Sequence, residues 1–490
     1  MGRFKIYVHI LFVVMVFGGL VSCGDEDKIE EPEDQNGENN DLAWELADLD
    51  SVVVDLSRSG GPDVTYKRGT AAPGMGGFFD SEKMRDYLDY QSSIEMNIFN
   101  GIRNLFKDPE TDEFYYEDGD YKNQQIDKFT DIRKYAHEKG FELISQVGGT
   151  PRNSNYEFDT TYRKTSDPTF YEPHTDFAPI PAEGESMQEF QRNFAEWAIN
   201  AGEAVGGDFH SIWIGTQEIA HTIGFKDGIK NAETKKLNIR RWVDYWKPIN
   251  DELRAARAET GGIQLNWSNK NIYNYAVDYM IDKDLHVDYL TYQFYQWGDN
   301  RALDAAIVAL DRYNEVYPGT KIIIDRGHWG KRLPDGVDAC SSQSTIWYLN
   351  GELGAMNYAD KIYAHTLDRQ VNGMDNDKNT VLWKTRAWIN TTGSKRFSLS
   401  GLPSGLEGFA IGDSGKMQIA LWNESDQEYD FRIDLKNHDF PLITKREVFK
   451  ASGNDFDQLR DVEWFHDHGA IGPLNIKPDE ILLITLNPVN

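Results

Sequence analysis

Cysteine is nearly absent from these 490 residues, with only Cys23 and Cys340 present. A chain this long can build its core without a disulfide framework, and two thiols cannot supply one. Basic residues are also outnumbered. Lys and Arg total 51 against 80 Asp and Glu, a net −29, so no nucleic-acid partner is expected. The apolar run Ile6–Leu20 is 15 residues, too short for a comfortable membrane span. There is no Gly-x-Ser-x-Gly elbow and no His-Glu-x-x-His, which removes the commonest hydrolase and zinc-protease signatures. No Gly-rich phosphate fingerprint follows an early strand, and Gly74-Met75-Gly76-Gly77 reads as a flexible loop. No internal repeat is evident. What the chain does have is aromatic surface, with 13 Trp and 24 Tyr. Most such rings pack cores, but their faces also stack weakly polar ligands, sugars above all.

The first residues have the order of a signal peptide. Arg3 and Lys5 precede the apolar run, which ends in Leu20-Val21-Ser22-Cys23. Those four residues resemble a bacterial lipobox, which implies removal of 1–22 and a lipid on Cys23. An ordinary secretory signal with a coincidental cysteine is the alternative. With Cys23 acylated, Cys340 has no intrachain partner. Residues 24–42 carry nine acids and one Lys, with almost nothing to bury, so 23–45 reads as a solvated acidic tether. That run resembles the surface-export signal of outer-membrane lipoproteins in glycan-degrading Gram-negative bacteria, while a plain spacer is the simpler reading. The resemblance implies a lipid-anchored, surface-exposed place on the outer membrane. The remaining body carries about −23, which repels acidic polymers at long range.

Beyond the tether, short apolar runs alternate with helical patterns, an α/β signature. Strands are predicted at Tyr66–Thr70, Ile94–Phe99, Phe141–Val147, Ser211–Ile214, Gly262–Trp267, Val287–Tyr292, Lys321–Asp325 and Thr380–Trp383. Phe190, Phe194, Trp197 and Ala201 fall at helical spacing, as do Trp242, Val243, Trp246, Ile249 and Leu253. Eight strands with intervening helices over 46–397 predict a (β/α)8 TIM barrel, with a doubly wound open sheet as runner-up. From about 398 to 490 short strands follow one another with polar turns, which predicts a C-terminal all-β sandwich, and the early run 52–56 is available to pair with it.

In such a barrel the working groups sit at the C-terminal ends of strands. Those ends read Asn100 and Arg103; Gln146 to Pro151; Gln217-Glu218 with His221; Asn266-Trp267; Tyr295 to Trp297; Asp325-Arg326 with His328-Trp329; and Trp383-Lys384. Carboxylates, amides, His and indoles around one mouth suit cleavage of a glycosidic bond, which needs two carboxylates and faces for sugar rings. Glu218 paired with Arg103, or Asp325 with Arg326, as plain ion pairs are the bland readings. About half of Trp267, Trp297, Trp329 and Trp383 are expected to be core instead, by the ordinary fate of indoles.

A Trp-rich fourth strand ending in amide-Glu resembles the clan-A glycoside hydrolases. The string Trp213-x-Gly-x-Gln-Glu-x-x-His-Thr-x-Gly224 is most similar to the β-agarases and β-porphyranases among them. The resemblance implies Glu218 as general acid/base, Gln217 at the sugar 2-hydroxyl and an extended polysaccharide substrate, of agar or porphyran type. Arg103, Asn266, His221, Tyr295 and His328 would line the subsite, with Trp267, Trp297 and Trp329 stacking rings.

The departure is at strand 7, where the clan has Glu and this chain has Asp325. One methylene less is about 1.3–1.5 Å of reach. Retaining enzymes hold their carboxyls about 5–5.5 Å apart and inverting ones about 6.5–9.5 Å. Asp325 is therefore a nucleophile on a shifted strand, a base activating water, or the mark of a barrel kept only to bind glycans.

Other chemistries have less support. Glu218-x-x-His221 has di-iron spacing but no second copy on another predicted helix. His466-Asp467-His468 reads as an exposed turn, and Asp375–Asn379 lacks the Gly and Glu of a calcium loop. No cofactor or metal is expected. A polysaccharide lyase using Tyr295 and His221 is the remaining alternative.

Overall fold

The computed structural model describes residues 46, 48–71, 81–93, 98–100, 105–107, 114–118, 121–124, 134–147, 186–204, 211–214, 232–256, 259–264, 270–292, 301–324, 336–338, 340–367, 380–390, 393–413, 416–437, 443–462, 464–465 and 469–488. The chain divides into two units, Met1–Asp48 and Leu49–Asn490. In the first, Leu46 is helical and buried.

The second unit enters on β1 (Asp50–Ser59). Eight parallel strands then close into a barrel. They are β2 (Lys67–Ala71) and β3 (Ile98–Asn100), then, after a small antiparallel sheet of β4 (Leu105–Lys107), β5 (Phe114–Asp118) and β6 (Tyr121–Gln124), the strands β7 (Glu142–Val147), β8 (Ser211–Ile214), β9 (Glu259–Gln264), β10 (Tyr289–Tyr292), β11 (Lys321–Ile324) and β12 (Ile362–Leu367). The last pairs with the first, Ala364 beside Lys67 and His365 beside Arg68. β10 is buried at all four positions and β11 at its three isoleucines, as expected of parallel strands with helices on one side and a filled interior on the other. The (β/α)8 architecture is therefore the one predicted.

Among the described residues its helices include α1 (Ser81–Ser93), α2 (Met187–Ala204), α3 (Ala232–Ala255), α4 (Lys270–Asp282), α5 (Arg301–Asn314), α6 (Ser342–Asn357) and α7 (Val381–Asn390). α3 runs through Pro248 and buries Val243, Trp246, Ile249 and Leu253 at helical spacing. That apolar stripe outweighs the missing backbone donor. α6 starts on a Ser341 cap, whose side chain accepts from the Ser344 amide, and is buried on nearly every side.

One predicted strand is corrected. Thr380–Trp383 is not strand 8; Val381 onward is α7, and the eighth strand is Ile362–Leu367. A four-residue apolar run has no period long enough to separate strand from helix. Trp383 accordingly is no sugar platform. It is wholly buried in α7, edge-on to Tyr90, with the Arg386 guanidinium 4.1 Å from its ring centre.

The remaining strands are β13 (Lys395–Ser400), β14 (Leu406–Gly412), β15 (Met417–Asn423), β16 (Tyr429–Lys436), β17 (Ile443–Ser452), β18 (Asp455–Leu459), β19 (Trp464–Phe465), β20 (Ala470–Ile476) and β21 (Ile481–Pro488). With β1 they form one sheet in the order β18-β17-β21-β15-β14-β13-β1-β16-β20-β19. β1 lies between β13, antiparallel to it, and β16, parallel to it. β17 and β20 are seven steps apart in that order, roughly 30 Å if the sheet were flat. Yet Lys450 Nζ on β17 donates to Asn475 O on β20 at 3.1 Å. The sheet is thus doubled over, enclosing a core that includes Val52, Val54, Ile419, Ile433, Ile471 and Ile484.

The sheet is fused to the barrel. Phe409, Ile411, Trp422, Ile481 and Leu483 belong to the same apolar cluster as the barrel helices, facing away from the sandwich core. Trp422 Nε1 donates to Asn350 Oδ1 on α6 at 3.1 Å.

Candidate active site

At its N-terminal half the barrel interior is plugged. Tyr289, Ile323 and Ala364 pack together with Tyr363 beside them. The Tyr289 ring lies across Gly261 on β9, so closely that a Cβ there would sit 1.8 Å from ring carbon Cε2. Lys67 pairs with Glu142, one from each of β2 and β7. A barrel filled this way leaves its C-terminal ends as the mouth.

The ends of the described strands fix where the chain leaves the barrel wall. β8, the fourth strand, stops at Ile214, four residues before Glu218, and β11, the seventh, stops at Ile324, directly before Asp325. β3 stops three residues before Arg103, β9 two before Asn266, and β10 three before Tyr295. Glu218, Asp325, Gln217, Arg103, Asn266, His221, Tyr295, His328, Trp267, Trp297 and Trp329 themselves lie outside the described residues, as do Cys23, residues 375–379 and residues 466–468.

What the described residues bring together instead is a charged cluster that carries no sequence motif. Glu352 on α6 is fully buried and faces Arg68 on β2 and His365 on β12. Arg68 Nε donates to its Oε1 at 2.9 Å and Nη2 to its Oε2 at 3.2 Å. Tyr66 Oη donates to Oε2 at 2.6 Å, Tyr348 Oη to Oε1 at 2.9 Å, and His365 Nδ1 lies 3.3 Å from Oε1. Burial alone would push this carboxyl up, but the Arg68 guanidinium and then His365 outweigh it and hold it well below the usual carboxylate range. Burial pushes both phenols upward, so they remain donors. Five donors on a buried carboxylate whose pKa is held low leave it no proton to deliver near neutral pH and no room for substrate, so Glu352 does not qualify as a general acid. The only hint in the sequence is spacing: Tyr66 and Arg68 share a face of the predicted strand Tyr66–Thr70, and Tyr348 and Glu352 share a helix face.

Among the described residues no group of three or more His, Cys, Asp or Glu side chains could hold a metal ion, and no helix is long and apolar enough to cross a membrane.

No family model matches this chain, and no curated protein does. Solved structures do. A glycoside hydrolase family 30 endoxylanase from Clostridium papyrosolvens superimposes with a TM-score of 0.55 at 10% identity, over 89% of this chain and 100% of that one. A monomeric β-xylosidase from Caulobacter crescentus gives 0.53 at 11%, over 90% and 100%. A Paenibacillus polymyxa xyloglucanase of glycoside hydrolase family 44 gives 0.53 at 12%, again over 90% and 100%. At such identities the likeness is one of fold: this chain has a glycoside hydrolase-like barrel with its trailing sheet.

Proposed function

We propose that this chain is a lipid-anchored glycoside hydrolase acting on an extended polysaccharide. The observation that carries the reading is a coincidence of fold with sequence position. The barrel and its appended sheet superimpose on whole glycoside hydrolases, and the fourth and seventh strands run out into Gln217-Glu218 and Asp325. Glu218 is the general acid that protonates the leaving oxygen, and Asp325 is the second carboxylate, as nucleophile or as the base for water. Gln217, Arg103, Asn266, His221, Tyr295 and His328 line the subsite, with Trp267, Trp297 and Trp329 stacking rings. Agar- or porphyran-type galactans are the substrates suggested by the sequence around Glu218. The xylan and xyloglucan enzymes of similar fold add those polymers to the panel to be tested. Cys23 carries the anchor, and Cys23→Ala moves the protein from the membrane to the soluble fraction.

A second reading, a surface glycan receptor without catalysis, is favoured by Asp325 in place of the clan's Glu. Reducing-end release from the polysaccharide panel separates the two. A hydrolase releases ends, and Glu218→Gln slows release by about 10²–10⁴-fold, the usual share of a general acid, while still binding. Binding with no release by either protein makes the barrel a receptor. An ultraviolet-absorbing unsaturated product would instead identify a lyase.

A further inference from the structure

A closed barrel has one seam at which the paired strands come from opposite ends of the domain. Here it is β2 against β12, nearly 300 residues apart in the chain, whereas the other barrel pairs are consecutive in the barrel's chain order. Loop length therefore does not limit the register at this seam. Nor does an apolar alternation: β2 reads Lys67-Arg68-Gly69-Thr70-Ala71, and polar or glycine-rich strands specify register poorly. On its other side β12 already steps by one residue, Ile362 pairing with Ile322 but Ala364 with Ile323.

We propose that the Arg68–Glu352–His365 cluster is the register key of the barrel seam, selecting one alignment of β2 on β12 rather than merely adding stability. Arg68 and His365 are direct partners across the seam, and Glu352 binds both from the helix that packs over them. Tyr66, the residue directly before β2, reaches the same carboxylate, so the cluster also holds the approach to the strand. A slip of one residue moves the strand by about 3.3 Å and sends alternate side chains to the opposite face. It would set Lys67 or Gly69 against His365, turn Arg68 toward the barrel interior, and leave Glu352 buried without its guanidinium. Buried ionic groups have been retained for such specificity in some proteins and not in others, so the two roles are distinguishable by experiment.

The test is hydrogen exchange on the full chain carrying Arg68→Met with Glu352→Leu, which removes both charges and fills the space. The expected result keeps the protection of β15 and β21, while amides of 67–70 and 364–367 split into two populations, at least one exchanging about tenfold faster or more. A single seam population with protection like that of the unsubstituted chain overturns the proposal and leaves the cluster as a stabiliser only. If that variant does not fold, Tyr66→Phe with Tyr348→Phe decides, since it keeps the ion pair. Faster exchange confined to the seam supports the key, and equal acceleration in both sheets overturns it. His365→Asn, which keeps a donor near the Nδ1 position, is expected to restore the seam protection that His365→Leu loses.

Discussion

The barrel and the doubled sheet share one body but differ in what their buried polar side chains join. Between its two layers the sheet packs an apolar cluster that includes Val52, Ile433 and Ile484, while its buried Arg396 and Gln418 donate to Asn357 and to the Trp388 carbonyl on the helix side, and its buried Glu480 pairs with Lys450. Inside the barrel and its helix layer sit Glu352, Arg68 and His365, with Lys67 and Glu142 at the foot of the interior. In the sheet, strands such as β1 and β16 alternate buried apolar with more exposed polar residues, the pattern of a half-buried strand. The barrel instead closes across a seam with little local pattern, and side chains from β2 and from the far-off α6–β12 segment make up the difference. Apolar alternation carries β1 and β16 although no hairpin joins them, and specific polar contacts enter at the barrel seam, where β2 has no such alternation.

The contrast can be attacked first at the junction. Trp422→Ala empties a fully buried site between sheet and α6 and removes the donor to Asn350, and a loss of about 3–5 kcal/mol is expected, read as a lower urea midpoint for both regions together. If the barrel alone loses protection, the two regions are not one cooperative body.

Glu352→Ala strikes the barrel side. It leaves Arg68 buried without its carboxylate, a change that costs about 3–5 kcal/mol. The same residue predicts a pH dependence. Its folded carboxyl is held low, so its contribution is complete above the unfolded value of about 4.3 and is lost as pH falls from there through the folded value. Urea midpoints measured from neutral to acid pH should fall less steeply below about pH 4 for Glu352→Gln than for the unsubstituted chain. Equal slopes would remove Glu352 from the account of acid stability.

Gly261→Ala tests the plug of the barrel interior. The new Cβ meets the Tyr289 ring, and about 1–3 kcal/mol of destabilisation is expected in thermal unfolding. The smallest effect belongs to the sheet: Ile433→Val removes one methyl from its apolar cluster, about 0.5–1.5 kcal/mol, with no change in the pH profile.

Much of this fold was legible in advance for physical reasons. Lys321–Ile324 and Ser211–Ile214 are β-branched or apolar runs bounded by polar chain, and the stripe through Trp246, Ile249 and Leu253 has an unambiguous helical period. The eighth strand was not legible. Ile362–Leu367 contains His365, whose burial beside Glu352 is invisible in one dimension, while Thr-Val-Leu-Trp at 380–383 has strand composition on a helix start. For the candidate site, the predicted strand ends point to Glu218 and Asp325, which lie outside the described residues, because chemistry in this architecture gathers where strands stop. The cluster on Glu352 could not be found in that way, since Arg68, Glu352 and His365 form no motif.

The sequence by itself determined the alternation of strand and helix and the change to an all-β ending, because side-chain period is a local property. Only the tertiary structure decided that β1 crosses from the chain's beginning into the far sheet, that this sheet doubles until Lys450 meets Asn475, and that a lone glutamate on α6 gathers both edges of the barrel seam. These contacts join residues far apart in the chain, and their energies depend on burial and partner geometry, which no local window of sequence contains.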